Sequence, residues 1–412
     1  MNILYILRHN PWGIGGGCYA CRCYLDAFTT LFAEAQFDVC VCEEYINEND
    51  TLTLRNTSLR NADATERRHY ENENVNFVGV AQRGKVEKLL SPMTGLLHRF
   101  DNIARQLLKS NQYDYCIFDH NSIAGPLVGL CKKLGVKSIV INHNCEAEYY
   151  RDNYDWFHRM LFLNHVKRAE KLSYLGCDYN IFLTEEDKIL FEQLYGKSST
   201  KSVVTGCFET AKIYETQSYD TEQSSYDTLR YENGNERLRL VISGTIGNVQ
   251  NMDGIQFFLR ELLECVPKDA EVVIAGKNPP EELINQIASI NQQKKYAEVT
   301  LIPNPEDMMS IVNRCNIFVC PTRLGGGLKL RVMDGLKAGL PVIAHQVSAR
   351  GYSEFARNGY LWAFDGKDTF DKVLRDVIQK MNNNEMDRNV IQDFAKRQFS
   401  FENKVEMLKD IM

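Results

Sequence analysis

From Gly325 to Pro341 the chain reads Gly-Gly-Gly-Leu-Lys-Leu-Arg-Val-Met-Asp-Gly-Leu-Lys-Ala-Gly-Leu-Pro, residue types suited to holding a nucleoside diphosphate. Glycines let backbone amides approach phosphate oxygens, and a helix N-terminus adds fixed positive potential. Lys329 lies two residues past Gly327 and brings a compact ammonium. Asp334 comes about one and a half helical turns later, where a carboxylate can accept from ribose hydroxyls. Gly339 and Pro341 then stop the helix. An apolar strand at 317–320 precedes the loop, and strand–loop–helix is the context a phosphate cradle requires. The same turn occurs without a ligand in many α/β proteins, so the loop by itself leaves both readings open.

The elements that must position this loop can be read from hydrophobic runs. In the first half, strands are expected at 2–7, 37–42, 75–80, 115–118, 138–141, 180–183 and 202–204, with helices at 18–33, 94–109, 123–134 and 156–174. The second half repeats the alternation, with strands at 238–243, 272–275, 299–302, 317–320, 342–344 and 361–364. Its helices fit at 254–265, 280–290, 306–314, 329–337 and 368–381, and a last helix at 401–410 follows a break. Strands separated by helices imply βαβ units and parallel sheets. Two polar stretches, 43–74 and 214–237, interrupt the pattern, the first as a surface excursion and the second as a connection between domains. The expected division is a first Rossmann-like domain at 1–210, a polar linker at 211–236 and a second Rossmann-like domain at 237–395. A C-terminal helix at about 396–412 is expected to pack back on the first domain.

Composition is that of an ordinary globular protein: 44% hydrophobic, 25% charged, mean hydropathy −0.35. A formal net charge of −6 argues against nucleic acid as partner, while leaving room for a local basic pocket. No apolar run approaches a membrane span, and the stretch 3–7 is too short for a signal-peptide core, so a cytoplasmic location is expected. Among thirteen cysteines, Cys18, Cys21 and Cys23, then Cys40 and Cys42, are closely spaced. They read as small buried residues in a reducing compartment, or as zinc ligands. Helical spacing sets Cys23 off the face shared by Cys18 and Cys21, which favours the first.

Taken together, these residues resemble the retaining GT-B glycosyltransferases of family 4. The run from Pro321 to Pro341 resembles the branch with three glycines, two basic residues and an acid before Gly-x-Pro. Asn142-His143-Asn144-Cys145-Glu146 resembles the family's His-Asn-x-Glu, and Thr184-Glu185-Glu186-Asp187 its helix-opening Thr/Ser-Glu-x-Asp. Ser243-Gly244-Thr245, with Asn251 and Phe257-Phe258, resembles the opening of the second domain, and Gly15-Gly16-Gly17 occupies the first strand–helix loop. The resemblance implies two facing doubly wound Rossmann-like domains with a cleft between them. It makes the first domain the acceptor side and the second the nucleotide-sugar side.

There are departures. The family's Glu-x7-Glu pair falls on Gly326 and Asp334, and the triple-glycine branch shares the loss of the first Glu. Asp for Glu shortens the ribose-contacting arm by about 1.5 Å. The usual Arg and Lys after the first strand of the second domain are missing, since 244–254 contains neither. Diphosphate charge is then left to Lys329, to Arg323 or Arg331, and to backbone amides.

By this resemblance His143 contacts the transferred sugar and Lys329 stabilises the leaving diphosphate. Gly15, Gly16, Gly17, Gly244, Gly325, Gly326, Gly327, Leu328, Arg323 and Asp334 form the donor-binding set. His120, in Asp119-His120-Asn121, ranks second among the histidines. Glu146 and Glu185-Glu186-Asp187 read as helix-start residues. No Asp-x-Asp motif appears among these stretches, so neither metal nor other cofactor is expected; the partners are a nucleotide-diphosphate-sugar donor and a glycan or lipid-linked acceptor.

The activity implied is retaining glycosyl transfer in surface polysaccharide or glycoconjugate synthesis. A catalytically silent GT-B partner subunit and a GT-B sugar-nucleotide epimerase stand as alternatives. Around 156–171, aromatic and apolar residues mix with basic ones, and residues 151–171 carry five basic against three acidic side chains. That segment reads as an amphipathic helix packed on the sheet, or as a weak peripheral contact with the inner face of the cytoplasmic membrane.

Overall fold

The computed structural model describes residues 1–9, 11, 16–42, 74–81, 98–210 and 237–410, and has two compact units. The first comprises Met1–Thr216, Gly326–Leu328 and Phe399–Met412; the second comprises Gln217–Gly325 and Lys329–Gln398. Gly15, the linker 211–236 and nearly all of the polar excursion 43–74 lie outside the described residues.

The first unit is built on a parallel seven-stranded sheet: β1 (Asn2–Leu7), β2 (Gln36–Cys42), β3 (Val75–Ala81), β4 (Tyr115–Asp119), β5 (Lys137–Asn142), β6 (Tyr179–Phe182) and β7 (Lys201–Val204). Their spatial order is β3-β2-β1-β4-β5-β6-β7. The helices are α1 (Gly16–Leu31), α2 (His98–Ser110), α3 (Asn121–Leu134), α4 (Glu146–Asn153), α5 (Trp156–Gly176) and α6 (Glu185–Tyr195). Ile3 to Leu7 are all buried because helices cover both faces of the sheet, which is why the strand reads as an unbroken apolar run. Ile3, Tyr5 and Leu7 pack in one core with Tyr24 and Phe28 of α1. Leu4 and Ile6 pack in the other with Leu108 of α2 and Leu127 of α3. The last helix of the chain, Phe401–Lys409, adds Phe401, Val405 and Leu408 to the first of these cores. Thr184 caps α6, accepting from the Asp187 amide at 3.0 Å.

The second unit holds a parallel six-stranded sheet: β8 (Arg239–Thr245), β9 (Glu271–Lys277), β10 (Glu298–Pro303), β11 (Ile317–Cys320), β12 (Val342–His345) and β13 (Leu361–Phe364), in the order β10-β9-β8-β11-β12-β13. Its helices are α7 (Val249–Phe257), α8 (Glu281–Gln293), α9 (Met308–Asn313), α10 (Leu330–Lys337), α11 (Ser353–Arg357), α12 (Lys367–Asn382) and α13 (Arg388–Gln398); the chain's last helix, Phe401–Lys409, is α14. Gly335 lets α10 lie close on the sheet, since a Cβ there would stand 2.5 Å from the Phe318 ring.

Some boundaries differ from the sequence reading. α7 begins at Val249 rather than 254, because the Asn248 side chain accepts from the Gln250 amide and opens the helix early. It then passes into a π turn (Phe258–Leu262) and a 3-10 turn (Leu263–Cys265). α4, α11 and α13 extend the sequence reading: the first two span 8 and 5 residues, too short for a clear period.

In both sheets the connections run outward in one direction and then reverse. The reversals fall between β1 and β4, and between β8 and β11. In open α/β sheets, ligands bind beyond the carboxyl ends of the strands at such switch points. What stands at these two places is therefore the natural place to look for chemistry.

Candidate functional site

At the first switch point, β1 runs out into Arg8 and His9, β4 ends on Asp119, and β5 is followed by His143. Asp119 is completely buried. Its Oδ1 lies 2.5 Å from His143 Nε2, and its Oδ2 accepts from the Tyr5 hydroxyl at 2.8 Å. The Cys21 thiol also donates to Oδ1, at 3.4 Å. Burial, then the Asp119 charge, pushes that thiol's pKa well up and keeps it a donor. The ligand atoms of Cys21, Asp119 and His143 lie within 4.8 Å of one another, a closeness that these hydrogen bonds account for. Cys23, on the same helix, instead donates to the Phe208 carbonyl, and Cys40 is buried in β2, so Cys21, Cys23 and Cys40 occupy separate buried positions.

His120, the residue after β4, caps α3 with φ at 135°, a strained conformation for a non-glycine residue and one often found at functional sites. Its Nδ1 accepts from the Ser122 amide at 3.3 Å, its Nε2 lies 3.3 Å from Glu146 Oε1, and Arg8 Nη1 stands 3.1 Å from both ring nitrogens. Burial and then the nearby Arg8 charge hold this imidazole's pKa well below its usual value, so it is neutral. Arg8 donates to Ser122 Oγ at 2.8 Å and pairs with Glu146 Oε2 at 3.3 Å. The His120 and His143 rings stack 5.2 Å apart. Gly16 opens α1, and a Cβ on Gly17 would stand 2.9 Å from the His9 ring, so the glycines and His9 share this place.

α4 begins on Glu146, the helix-start residue expected from sequence, with its cap supplied from a distance. Its N-cap residue, Cys145, makes no side-chain cap bond. Instead Glu170 of α5 accepts from the amides of Glu146 (2.6 Å) and Ala147 (3.3 Å), from Asn121 Nδ2 (2.9 Å) and from the Tyr195 hydroxyl (2.5 Å). Burial raises its pKa to about 7, against these four donors and the Cys145 thiol, 3.6 Å from its Oε2. Glu170 thus ties α3, α4, α5 and α6 together.

At the second switch point a small cavity is lined by Ser243, Gly244, Asn251, Cys320, Thr322 and Arg331, among others. Gly244 has φ at 137°, and a Cβ there would run into the Arg331 guanidinium. Arg331 comes from the first turn of α10 and makes no hydrogen bond or ion pair among the described residues. Burial lowers its pKa, but a guanidinium remains charged. The sheet end therefore presents a charged fork beside a backbone stripped of its side chain.

The other predicted residues are placed differently. Lys329 is the N-cap of α10; its Nζ donates to the Gly325 carbonyl at 3.2 Å, and its own carbonyl accepts from the Tyr352 hydroxyl at 2.9 Å. Gly325 and Gly327 have φ at 81° and 70°. Gly326, Gly327 and Leu328 group with the first unit, and Gly325 and Lys329 with the second. Arg323 is already engaged: it makes a two-pronged pair with Asp253 (2.8 and 3.1 Å) and lies over the Phe257 ring at 4.5 Å. Asp334 is half-buried, with no side-chain hydrogen bond among the described residues, and burial raises its pKa to about 6.

Sequence reasoning left out Arg8, Tyr5, Asp119 and Glu170. Asp119 stood next to a residue that was singled out, and its position at a strand end was the available signal. Arg8 and Glu170 carried none, since their partners are about 110 and 24 residues away in sequence.

Residues 239–380 match the family model described as glycosyl transferases group 1. No curated protein sequence matches the chain. Among solved structures it is similar to Anabaena Alr3699/HepE in complex with UDP, at 14% identity and TM-score 0.61, covering 100% of this chain and 99% of that one. It is similar to a sucrose-phosphate synthase from Thermosynechococcus elongatus at 12% identity and TM-score 0.67, over 100% and 98%. A third similar structure is WaaG, a glycosyltransferase involved in lipopolysaccharide biosynthesis, at 14% identity and TM-score 0.59, over 99% of each chain. The second unit carries a domain matching glycosyl transferases group 1 over residues 239–380, and the chain has the GT-B fold of these structures.

Proposed function

We propose that this enzyme transfers a glycosyl group, with retention of anomeric configuration, from a nucleoside-diphosphate sugar to a glycan or lipid-linked acceptor. One observation carries the donor half of this reading: Arg331, free of any ion pair among the described residues, stands against Gly244 at the switch point of the group 1 domain. A diphosphate leaving group gains negative charge as the glycosidic bond breaks, and a preorganised guanidinium stabilises it more in the transition state than in the ground state. A guanidinium can hold two phosphate oxygens at once. It supplies the charge for which no Arg or Lys is present between 244 and 254.

In this reading Lys329 shapes the glycine loop by bonding the Gly325 carbonyl, and its ammonium adds positive charge there. Asp334 accepts from the ribose, with a bridging water where its shorter arm falls short. His143, held through Nε2 by Asp119, presents its remaining nitrogen to the sugar. A UDP complex of a similar structure supports a nucleoside diphosphate as the ligand. This reading calls for no metal ion and assigns the reaction to surface polysaccharide or glycoconjugate synthesis.

The test is thermal unfolding of the wild type with UDP, GDP, ADP, CMP and dTDP, followed by nucleotide release from the matching sugar donor with and without glycan acceptors. A ligand at about 100 times its dissociation constant adds roughly 2.7 kcal/mol of stability. The expected result is stabilisation by one diphosphate and acceptor-dependent release of it. Stabilisation by none would favour a catalytically silent subunit, and epimerised donor without acceptor would assign an isomerase.

A further inference from the structure

Glu170 is 1% exposed, yet it sets a carboxylate at the junction of four helices. Its Oε1 accepts from the Glu146 amide and from Asn121 Nδ2. Its Oε2 accepts from the Ala147 amide, the Tyr195 hydroxyl and, more weakly, the Cys145 thiol. Buried polar groups are costly to leave unpaired, so one carboxylate facing five donors fixes where those donors stand.

Three of the five belong to the turn 145–147. A fourth, Asn121, reaches the same turn by a second bond, since its Nδ2 also donates to the Asn144 carbonyl at 3.1 Å. This turn leads out of β5 through His143. Its Glu146 side chain meets Arg8 and His120, and His120 is the strained residue just before Asn121. Glu170 therefore acts on these side chains through the backbone that carries them.

The same surroundings leave little place for a proton on Glu170. All five neighbours point a hydrogen at it, while burial, and then the Glu146 charge, raise its pKa to about 7. The titratable groups that face it are the Glu146 carboxylate of α4, the Tyr195 phenol of α6 and the Cys145 thiol before α4; α3 presents the uncharged Asn121. Burial pushes the pKa of both the phenol and the thiol up, so neither ionises in this range. One acceptor is at hand. Asn121 Oδ1 is buried without a hydrogen-bond partner among the described residues. Rotating that amide by half a turn would bring Oδ1 to the Glu170 proton and take Nδ2 off the Asn144 carbonyl. Tyr195 suits the proton less well: if its oxygen accepted, its own hydrogen would have no acceptor among the described residues.

We propose that Glu170 is a positioning residue for glycosyl transfer: as a carboxylate it fixes the turn that carries His143 and Glu146, and on taking a proton from solvent it releases that turn through Asn121. The proposal rests on the transferase reading above for its effect on turnover, and on the geometry alone for its effect on the turn.

The test follows two readouts across about pH 5.5 to 8.5. The first is acceptor-dependent turnover. Wild-type kcat should fall below a midpoint of about 7, with donor KM changing little. Glu170→Gln, uncharged like the protonated acid, should hold kcat about tenfold or more below wild type and lose that midpoint. Tyr195→Phe removes one donor to the carboxylate and should raise the midpoint by about one pH unit, which a titration of Asp334 in the other unit would not follow. The second readout is the His120 ring-carbon resonance of the ligand-free chain, assigned by its loss in His120→Asn. It needs no turnover. This imidazole is neutral, so its resonance should move with the Glu170 midpoint, follow the rise in Tyr195→Phe, and rest at its low-pH position in Glu170→Gln. Should Glu170→Gln fail to fold, Tyr195→Phe decides by itself. A His120 resonance that stays still, or a midpoint that Tyr195→Phe leaves in place, would overturn the proposal. So would wild-type kcat in Glu170→Gln. A moving His120 resonance in a chain without turnover would instead overturn the transferase reading and support the hold of Glu170 on the turn.

Discussion

His143 Nε2 stands 2.5 Å from Asp119 Oδ1, and the same carboxylate takes the Tyr5 hydroxyl on its other oxygen. With the Tyr5 hydroxyl and the Cys21 thiol donating to it, the buried acid holds the imidazole through Nε2. Such a partner sets both ring orientation and tautomer. Asp119→Asn is expected to lower kcat at least tenfold while changing donor KM little. Steady-state kinetics on the variant, with its unfolding midpoint as a control, would decide it; unchanged kcat in a folded variant removes Asp119 from the mechanism.

Two arginines near the glycine loop differ in availability. Arg331→Gln should weaken binding of the stabilising nucleotide about ten- to a hundredfold, the size of one charge-assisted bond of roughly 1.5–3 kcal/mol. Arg323→Gln, whose charge is already met by Asp253, should change affinity by less than about threefold. Isothermal titration of both variants separates them, and the reverse order of effects would transfer the phosphate role to Arg323.

Gly244 carries two constraints at once, a φ of 137° and the Arg331 guanidinium where a Cβ would go. Gly244→Ala is expected to cost about 1–3 kcal/mol of stability from the backbone alone. It should also displace Arg331 and weaken nucleotide binding. Urea unfolding and titration of one variant measure both; wild-type stability would mean that the strand end has room to relax.

Asp334 predicts a pH dependence. Burial raises its pKa from 3.8 to about 6 in the folded chain. The folded state therefore binds more protons than the unfolded state between these values, and the Asp334 contribution makes stability fall as pH rises through that window. Asp334→Asn should flatten this part of the stability profile, and should leave the ligand-free protein more stable than wild type at neutral pH. Midpoints of the two proteins in parallel across pH 4 to 7 check it, and parallel profiles would contradict the burial argument.

The cationic groups at the two switch points predict activity without a divalent ion. Turnover should survive dialysis against EDTA, measured as nucleotide release with an acceptor. Loss of activity restored by added magnesium or manganese would overturn this.

Much of the fold was legible because its signals are local. The strands stood out as apolar runs buried on both faces, Thr184 as a helix cap, and the glycine loop by its place between β11 and α10. Arg323 shows the limit. Its type and position suited phosphate, but Asp253, seventy residues earlier, holds it. Arg331 could not be ranked above it from sequence, because its lack of an ion pair among the described residues is a property of the surroundings.

The sequence by itself determined the alternation of strand and helix, the residue types in the loop, and the resemblance they carry. Only the tertiary structure decided the lateral order of the strands, and with it the sets Arg8–His120–Glu146, Asp119–His143 and Gly244–Arg331. The physical reason is that an apolar run encodes burial but not its neighbour. Which strand lies beside β1 or β8 is fixed by packing and crossover geometry over the whole sheet. The reversal of that order sets the ends of β1 beside β4, and of β8 beside β11, where the side chains meet.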